Sequence, residues 1–147
     1  MKITSPSFAH NGNIPSEFTC DGKGISPQLD ISEVPPNAKS LALIMDDPDA
    51  PVGTFVHWVV WNIPPATKQV TQGSKPQGSQ GKTGTGKPGY VGPCPPSGTH
   101  RYFFKLYALD IMLNIPEDSS KQEMENAIQE HIVGKAELIG LYNRIGR

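Results

Sequence analysis

Three segments of the chain are too apolar for loops and too short for isolated helices. Ser40 to Met45 (SLALIM), Phe55 to Ile63 (FVHWVVWNI) and His100 to Leu109 (HRYFFKLYAL) are rich in β-branched, leucine or aromatic residues and are bounded by Pro, Asp or Gly, which predicts strands. The first two are apolar at successive positions, the pattern of a central strand covered on both faces. In that setting the polar His57 calls for a reason. The spacing predicts one helix. Ser120-x-x-Glu123 is a capping box, and Met124, Ala127, Ile128, His131 and Ile132 recur at helical intervals up to Gly134, as in a surface helix with one buried stripe. Lys135 to Arg144 (KAELIGLYNR) is then expected as a final strand, with Gly140 at a bend or bulge.

Composition sharpens this picture in one respect. The chain has 147 residues, of which 15 are Gly and 15 Pro, about a fifth against a typical ~12%. They interrupt apolar runs and form no collagen-like repeat, so the expectation is a mainly β fold with many loops, a single domain over 1–147. The segment from Thr67 to Gly98 is rich in Gly, Ser, Gln and Pro and poor in core formers. It is far longer than an ordinary connection, the kind of loop expected to be functional or mobile. With 13 Lys+Arg against 14 Asp+Glu there is no global basic footprint, so nucleic acid is not expected as a partner and any anion site must be local. The opening Met1-Lys2-Ile3-Thr4-Ser5-Pro6 lacks a signal-peptide run and no stretch suffices to span a bilayer, so a cytoplasmic chain without integral membrane association is expected. Cys20 and Cys94 fit no metal-binding spacing and are either two thiols or one pair.

Several motifs compete for attention. Gly81-Lys82-Thr83-Gly84-Thr85-Gly86-Lys87-Pro88 resembles a phosphate loop but places Pro88 where a hydroxyl must reach magnesium, and Gly84 to Gly89 satisfies G-x-G-x-x-G with neither strand before it nor helix after it. Both are set aside. Asp46-Asp47-Pro48-Asp49-Ala50-Pro51 follows the strand SLALIM. A solvated turn would explain it, yet Pro48 and Pro51, in cis or trans, restrain the backbone more than a turn requires. An EF-hand is excluded, because its spaced acidic ligands and closing Glu are missing. His57 alone reads as a core histidine bonded to a carbonyl. Gly98-Thr99-His100-Arg101-Tyr102 puts His100 and Tyr102 on one face of a strand and Arg101 on the other. If the strands of His57 and His100 are neighbours, both imidazoles meet the Asp47 turn at the sheet rim. A carboxylate there would hold the ring tautomer and raise its pKa, making donors for an anion.

The series D-P-D-A-P, H-W-V-V-W-N-I-P and G-P-C-P-P-S-G-T-H-R-Y-F-F-K-L-Y-A-L-D resembles the phosphatidylethanolamine-binding protein family, in its bacterial and archaeal Raf kinase inhibitor-like branch. The likeness runs from Phe18-Thr19-Cys20-Asp21-Gly22 to Ala136-Glu137-Leu138-Ile139-Gly140. It implies a Greek-key β sandwich with short peripheral helices. It also implies an anion pocket of Asp47, His57, His100 and Tyr102, walled by the turn Gly92-Pro93-Cys94-Pro95-Pro96, with Pro48, Asp49 and Arg101 in support. The implied function is non-enzymatic recognition of a phosphate-like group on a metabolite, a phospholipid head group or a phosphorylated partner. The alternatives are inhibition of a kinase or serine protease through the loop Thr71 to Lys87, or hydrolysis using the Asp/His cluster or Cys94 as a reactive thiol. No cofactor is expected and no metal, since Asp47, His57 and His100 fall short of a full ligand set. The resemblance brings Cys20 and Cys94 to the same end of the sandwich, where a disulfide would be feasible. It also leads one to expect an open site, because the additional C-terminal helix by which some eukaryotic members gate the pocket has no counterpart after Arg144. A homodimer is compatible with the apolar strands.

Overall fold

The computed structural model describes residues 1–144. Two sheets pack face to face. The smaller, in the order β1-β3-β6, is antiparallel and made of β1 (Lys2–Thr4), β3 (Leu29–Ser32) and β6 (Gln69–Val70). The larger has the order β2-β9-β8-β4-β5-β7, with β2 (Gly12–Asn13), β4 (Ser40–Asp47), β5 (Phe55–Ile63), β7 (Ser79–Gln80), β8 (His100–Leu109) and β9 (Ile132–Tyr142). After β5 the chain crosses to the small sheet and returns to lie beside β4 as β8, a Greek-key connection. A 3₁₀ turn (Ser16–Phe18) and one helix, α1 (Lys121–Ile128), complete the fold.

The apolar runs are explained by two cores, one on each face of the large sheet. Leu41, Leu43 and Met45 of β4 point with Trp58, Val60, Phe104 and Leu138 into the sandwich, against Ile3, Leu29 and Ile31 of the small sheet. Ala42 and Ile44 point the other way with Val59 and Trp61, against Leu113, Met124 and Ile128. β4 is buried at every position, as its lack of alternation requires.

The helix begins as expected, with Ser120 Oγ accepting from Glu123 N and Glu123 Oε1 accepting from Ser120 N. It ends earlier than expected, at Ile128. His131 bonds Asp110 Oδ1 at 2.9 Å, and Ile132 already pairs with Leu109 in β9. The final strand therefore starts at Ile132 and not Lys135. Ile132 and Val133 are β-branched and suited to a strand. Gly134 is no helix cap: it lies within β9 where an added Cβ would come 2.9 Å from the Pro35 ring.

The long segment 67–98 is neither structureless nor detached. β6 and β7 lie within it. Beyond β7 it follows the outer edge of β5, with Gly81 N donating to Val59 O, Gly84 N to Val56 O and Val91 N to His57 O. The edge of β5 is thus covered along its length. The glycines permit close approach: a Cβ on Gly84 would fall 2.5 Å from the Phe55 ring, and one on Gly81 within 2.8 Å of Trp61. That accounts for the phosphate-loop look-alikes.

Candidate functional site

β4 ends on two carboxylates that face opposite sides of the sheet. Asp46 Oδ2 takes Lys105 Nζ at 3.1 Å and Lys121 Nζ at 2.9 Å on the helix side. Asp47, on the sandwich side, accepts from His100 Nδ1 at 2.6 Å through Oδ2 and from Asp49 N at 2.8 Å through Oδ1. Both of its oxygens are used.

The strands of His57 and His100 are not neighbours, so the condition under which the sequence brought the two imidazoles together is not the one realised. β4 runs between them and contributes Asp47. His57 reaches the same rim through a β-bulge. Asp46 pairs with Val56 and Met45 with Trp58, so His57 is the extra residue with no partner on β4. A bulge bends its strand and re-aims a side chain. The ring is then held by a 2.7 Å bond from Nδ1 to Val91 O and packs against Phe55 at 4.8 Å and edge-on to Tyr102 at 5.3 Å between centroids. Burial dominates its titration and pushes the pKa below the ordinary histidine value, outweighing Asp47. The expected upward pull of the carboxylate is present, but burial outweighs it and the net direction is down.

Asp47, His57, His100 and Tyr102 line one cavity of about 180 Å³. Its walls are apolar: Pro51, Phe55, Val91, Pro95 and Pro96. The Tyr102 side chain is fully buried, and among the described residues its hydroxyl has no hydrogen-bond partner. Burial beside Asp47 and Asp49 raises its pKa far above the usual phenol range, so it stays a neutral O–H. Of the other residues named from the sequence, Gly92, Cys94 and Pro95 are in the lining, whereas Pro48 and Pro93 lie outside it. Pro48 follows Asp47 in a turn with no cis peptide bond, and Pro93 O accepts from Cys20 N at 3.1 Å. Asp49 and Arg101 also stand outside the lining. Arg101 holds Asp49 by Nε and Nη2, each at 2.9 Å, and by its backbone N, which lowers the Asp49 pKa to about 2.

The wall formed by residues 90–96 is fastened to residues 18–20. Cys94 and Cys20 form a disulfide across 74 residues of sequence. Tyr90 Oη donates to Phe18 O at 2.8 Å, and Gly92 lies so close that a Cβ would sit 2.8 Å from Phe18 O. The disulfide removes Cys94 from consideration as a reactive thiol.

Among the described residues no cluster of three or more His, Cys, Asp or Glu side chains has metal-binding geometry, and no helix is long and apolar enough to cross a membrane. Ala50, Phe55 and the Val91 carbonyl were not singled out in the sequence, whereas Pro51 and Pro96, read there as a turn restraint and as part of the wall, both line the cavity. The apolar residues flanking the H-W-V-V-W and G-P-C-P-P motifs were the available signal for Phe55 and Val91.

The sequence model of phosphatidylethanolamine-binding proteins matches residues 4–143. The chain belongs to the phosphatidylethanolamine-binding protein family. A UPF0098 protein of Methanothermobacter thermautotrophicus is 50% identical over 150 aligned positions, covering 98% of this chain and 99% of that protein. A UPF0098 protein of Pyrococcus horikoshii is 46% identical over 98% of this chain and 77% of its own length. Among solved structures, a putative family homolog from Chlamydia trachomatis superposes with a TM-score of 0.95 at 40% identity, over 97% of each chain. YbcL of E. coli, described as a member of the mammalian family, reaches 0.90 at 29% identity, over 97% of this chain and 98% of its own. The two-sheet architecture with one short helix is therefore the fold of this phosphatidylethanolamine-binding protein family.

Proposed function

We propose that the chain is a non-catalytic binding module whose cavity takes a phosphate-like anion, borne by a small metabolite, a lipid head group or a phosphorylated protein segment. The observation that carries this reading is the Tyr102 hydroxyl, buried without a partner among the cavity-lining residues. An unsatisfied buried polar group costs about 1–3 kcal/mol, and a bound acceptor oxygen would relieve it. The size of the cavity, about 180 Å³, lies below the ~300–1,000 Å³ of drug-sized sites and suits one small group. Its apolar walls strengthen each polar contact at the floor. The lining offers no free Ser, Thr or Cys nucleophile, which supports binding over turnover.

The cytoplasmic location expected from the sequence goes with this reading only where the cell interior preserves disulfides, because the Cys20–Cys94 bond would be reduced in most cytosols.

The test is a titration of labelled protein with inorganic phosphate and phosphoethanolamine, followed by amide and imidazole NMR shifts. Saturable shifts at His57, His100 and Tyr102 are expected, weakened about tenfold in Tyr102→Phe, the loss of one hydrogen bond in a dry site. Shifts confined to other surfaces, or none, would refute the reading.

A further inference from the structure

The hydrogen bonds behind the two imidazoles determine which atoms they can show a ligand. Val91 O is a carbonyl and has no proton, so the 2.7 Å contact makes His57 Nδ1 the donor. A neutral ring protonated at Nδ1 carries a lone pair at Nε2. The ring is 5% exposed and burial favours its neutral form. The groups around it are Phe55 on its own strand, Tyr102 on β8, His100 beyond, and the Asp47 and Asp46 carboxylates of β4. None of the hydrogen bonds described supplies a proton to Nε2. The site therefore pairs one committed acceptor, His57 Nε2, with one committed donor, the Tyr102 hydroxyl.

Charge points the same way. The lining contains no Lys or Arg. Arg101, the nearest guanidinium in sequence, is bound to Asp49, and Asp47 brings a carboxylate of its own. A doubly charged anion would meet a lone pair and a carboxylate with no Lys or Arg in the lining to offset them. A singly charged oxyanion that keeps one proton meets the opposite situation: its O–H donates to His57 Nε2 and its bare oxygen accepts from Tyr102. Either charge state of His100 leaves the requirement at His57 unchanged.

We propose, building on the anion-binding reading above, that the cavity takes its oxyanion with a proton attached, as a phosphate monoester in its hydrogen-phosphate form, and discriminates against phosphodiesters and sulfate esters, which have no such proton to give. The chemical class is thus a phosphorylated small molecule or phosphorylated side chain, and the diester of an intact phospholipid is disfavoured. His57 is the specificity-determining residue, and the bulge that frees its ring from the strand register is what makes the acceptor available.

The experiment compares methyl phosphate, dimethyl phosphate and methyl sulfate by calorimetry and NMR at about pH 6, near the second pKa of a phosphate monoester. Methyl phosphate is expected to bind at least about tenfold more tightly than the other two, the scale of one mismatched hydrogen bond in a buried site. Its affinity is expected to fall by close to tenfold for each unit of pH above about 7, while that of methyl sulfate, which does not titrate there, reports any change in the protein alone. His57→Gln, whose amide offers N–H as well as oxygen, should narrow the preference to within about threefold. Equal affinity of the wild-type protein for all three ligands overturns the proposal and leaves the anion reading standing. No binding by any of them overturns both.

Discussion

The two faces of the large sheet at the end of β4 hold neighbouring aspartates in opposite circumstances. On the helix face, Asp46 is buried and its Oδ2 is held by two lysines. On the sandwich face, Asp47 is equally buried, but its partner is an imidazole whose far edge borders an open cavity. The same residue type, one position apart, becomes a closed ion cluster on one side and the backing of a binding site on the other. What separates them is the partner. Lysines end in a charge that neutralises, whereas a histidine has a second nitrogen that passes the interaction on.

The largest effect expected on this contrast comes from the cavity wall. Replacing both Cys20 and Cys94 by Ser removes a link that closes a 74-residue separation, worth about 4 kcal/mol in the chain-entropy account. Urea unfolding should show that loss, and anion affinity should fall with it. A loss below about 1 kcal/mol would mean that the hydrogen bonds of Pro93 and Tyr90 hold the wall by themselves.

Next in size is the aspartate pair itself. Asp46→Ala strands two partly exposed lysines and should cost about 2–3 kcal/mol while leaving ligand-induced shifts at Tyr102 intact. Asp47→Asn should cost less stability, about 1–2 kcal/mol, yet weaken phosphate binding about tenfold. Equal effects of the two substitutions on binding would erase the contrast.

Acid separates the faces more gently. His57 has a folded-state pKa below its unfolded value, so its contribution is complete above about pH 6.5 and declines as the pH falls below that. Asp49, held at about 2 by Arg101, contributes above its unfolded value and loses that contribution as the pH drops from there toward 2. Urea midpoints measured down this range should fall in two steps, with His57→Ala lacking the first. The smallest effect has the opposite sign. Tyr102→Phe removes an unpartnered hydroxyl and should leave the ligand-free protein unchanged or up to about 1 kcal/mol more stable by thermal unfolding.

Much of this fold was legible in the chain. SLALIM and FVHWVVWNI announced doubly covered strands because each of their faces meets a separate core. The end of α1 was not legible. Ile132 satisfies a helical interval and also begins a strand, and only its pairing with Leu109 decides between them. The quartet Asp47, His57, His100 and Tyr102 was named from motifs, and the structure brings all four to one cavity. The route by which His57 gets there was hidden, since a bulge is a property of two strands in register and leaves no mark on either alone. The Asp46 cluster was hidden for a similar reason: Lys105 and Lys121 are distant in sequence and look like ordinary surface charges.

The glycine-rich run beside β5 has a consequence for self-association. FVHWVVWNI is among the most adhesive segments in the chain, uncharged, aromatic and β-branched, and its outer edge is shielded by the backbone of residues 79–91. A protease nick or a deletion in that shield would bare a template on which another chain's strand can add. Residues that look dispensable on the surface thereby act as a guard against aggregation.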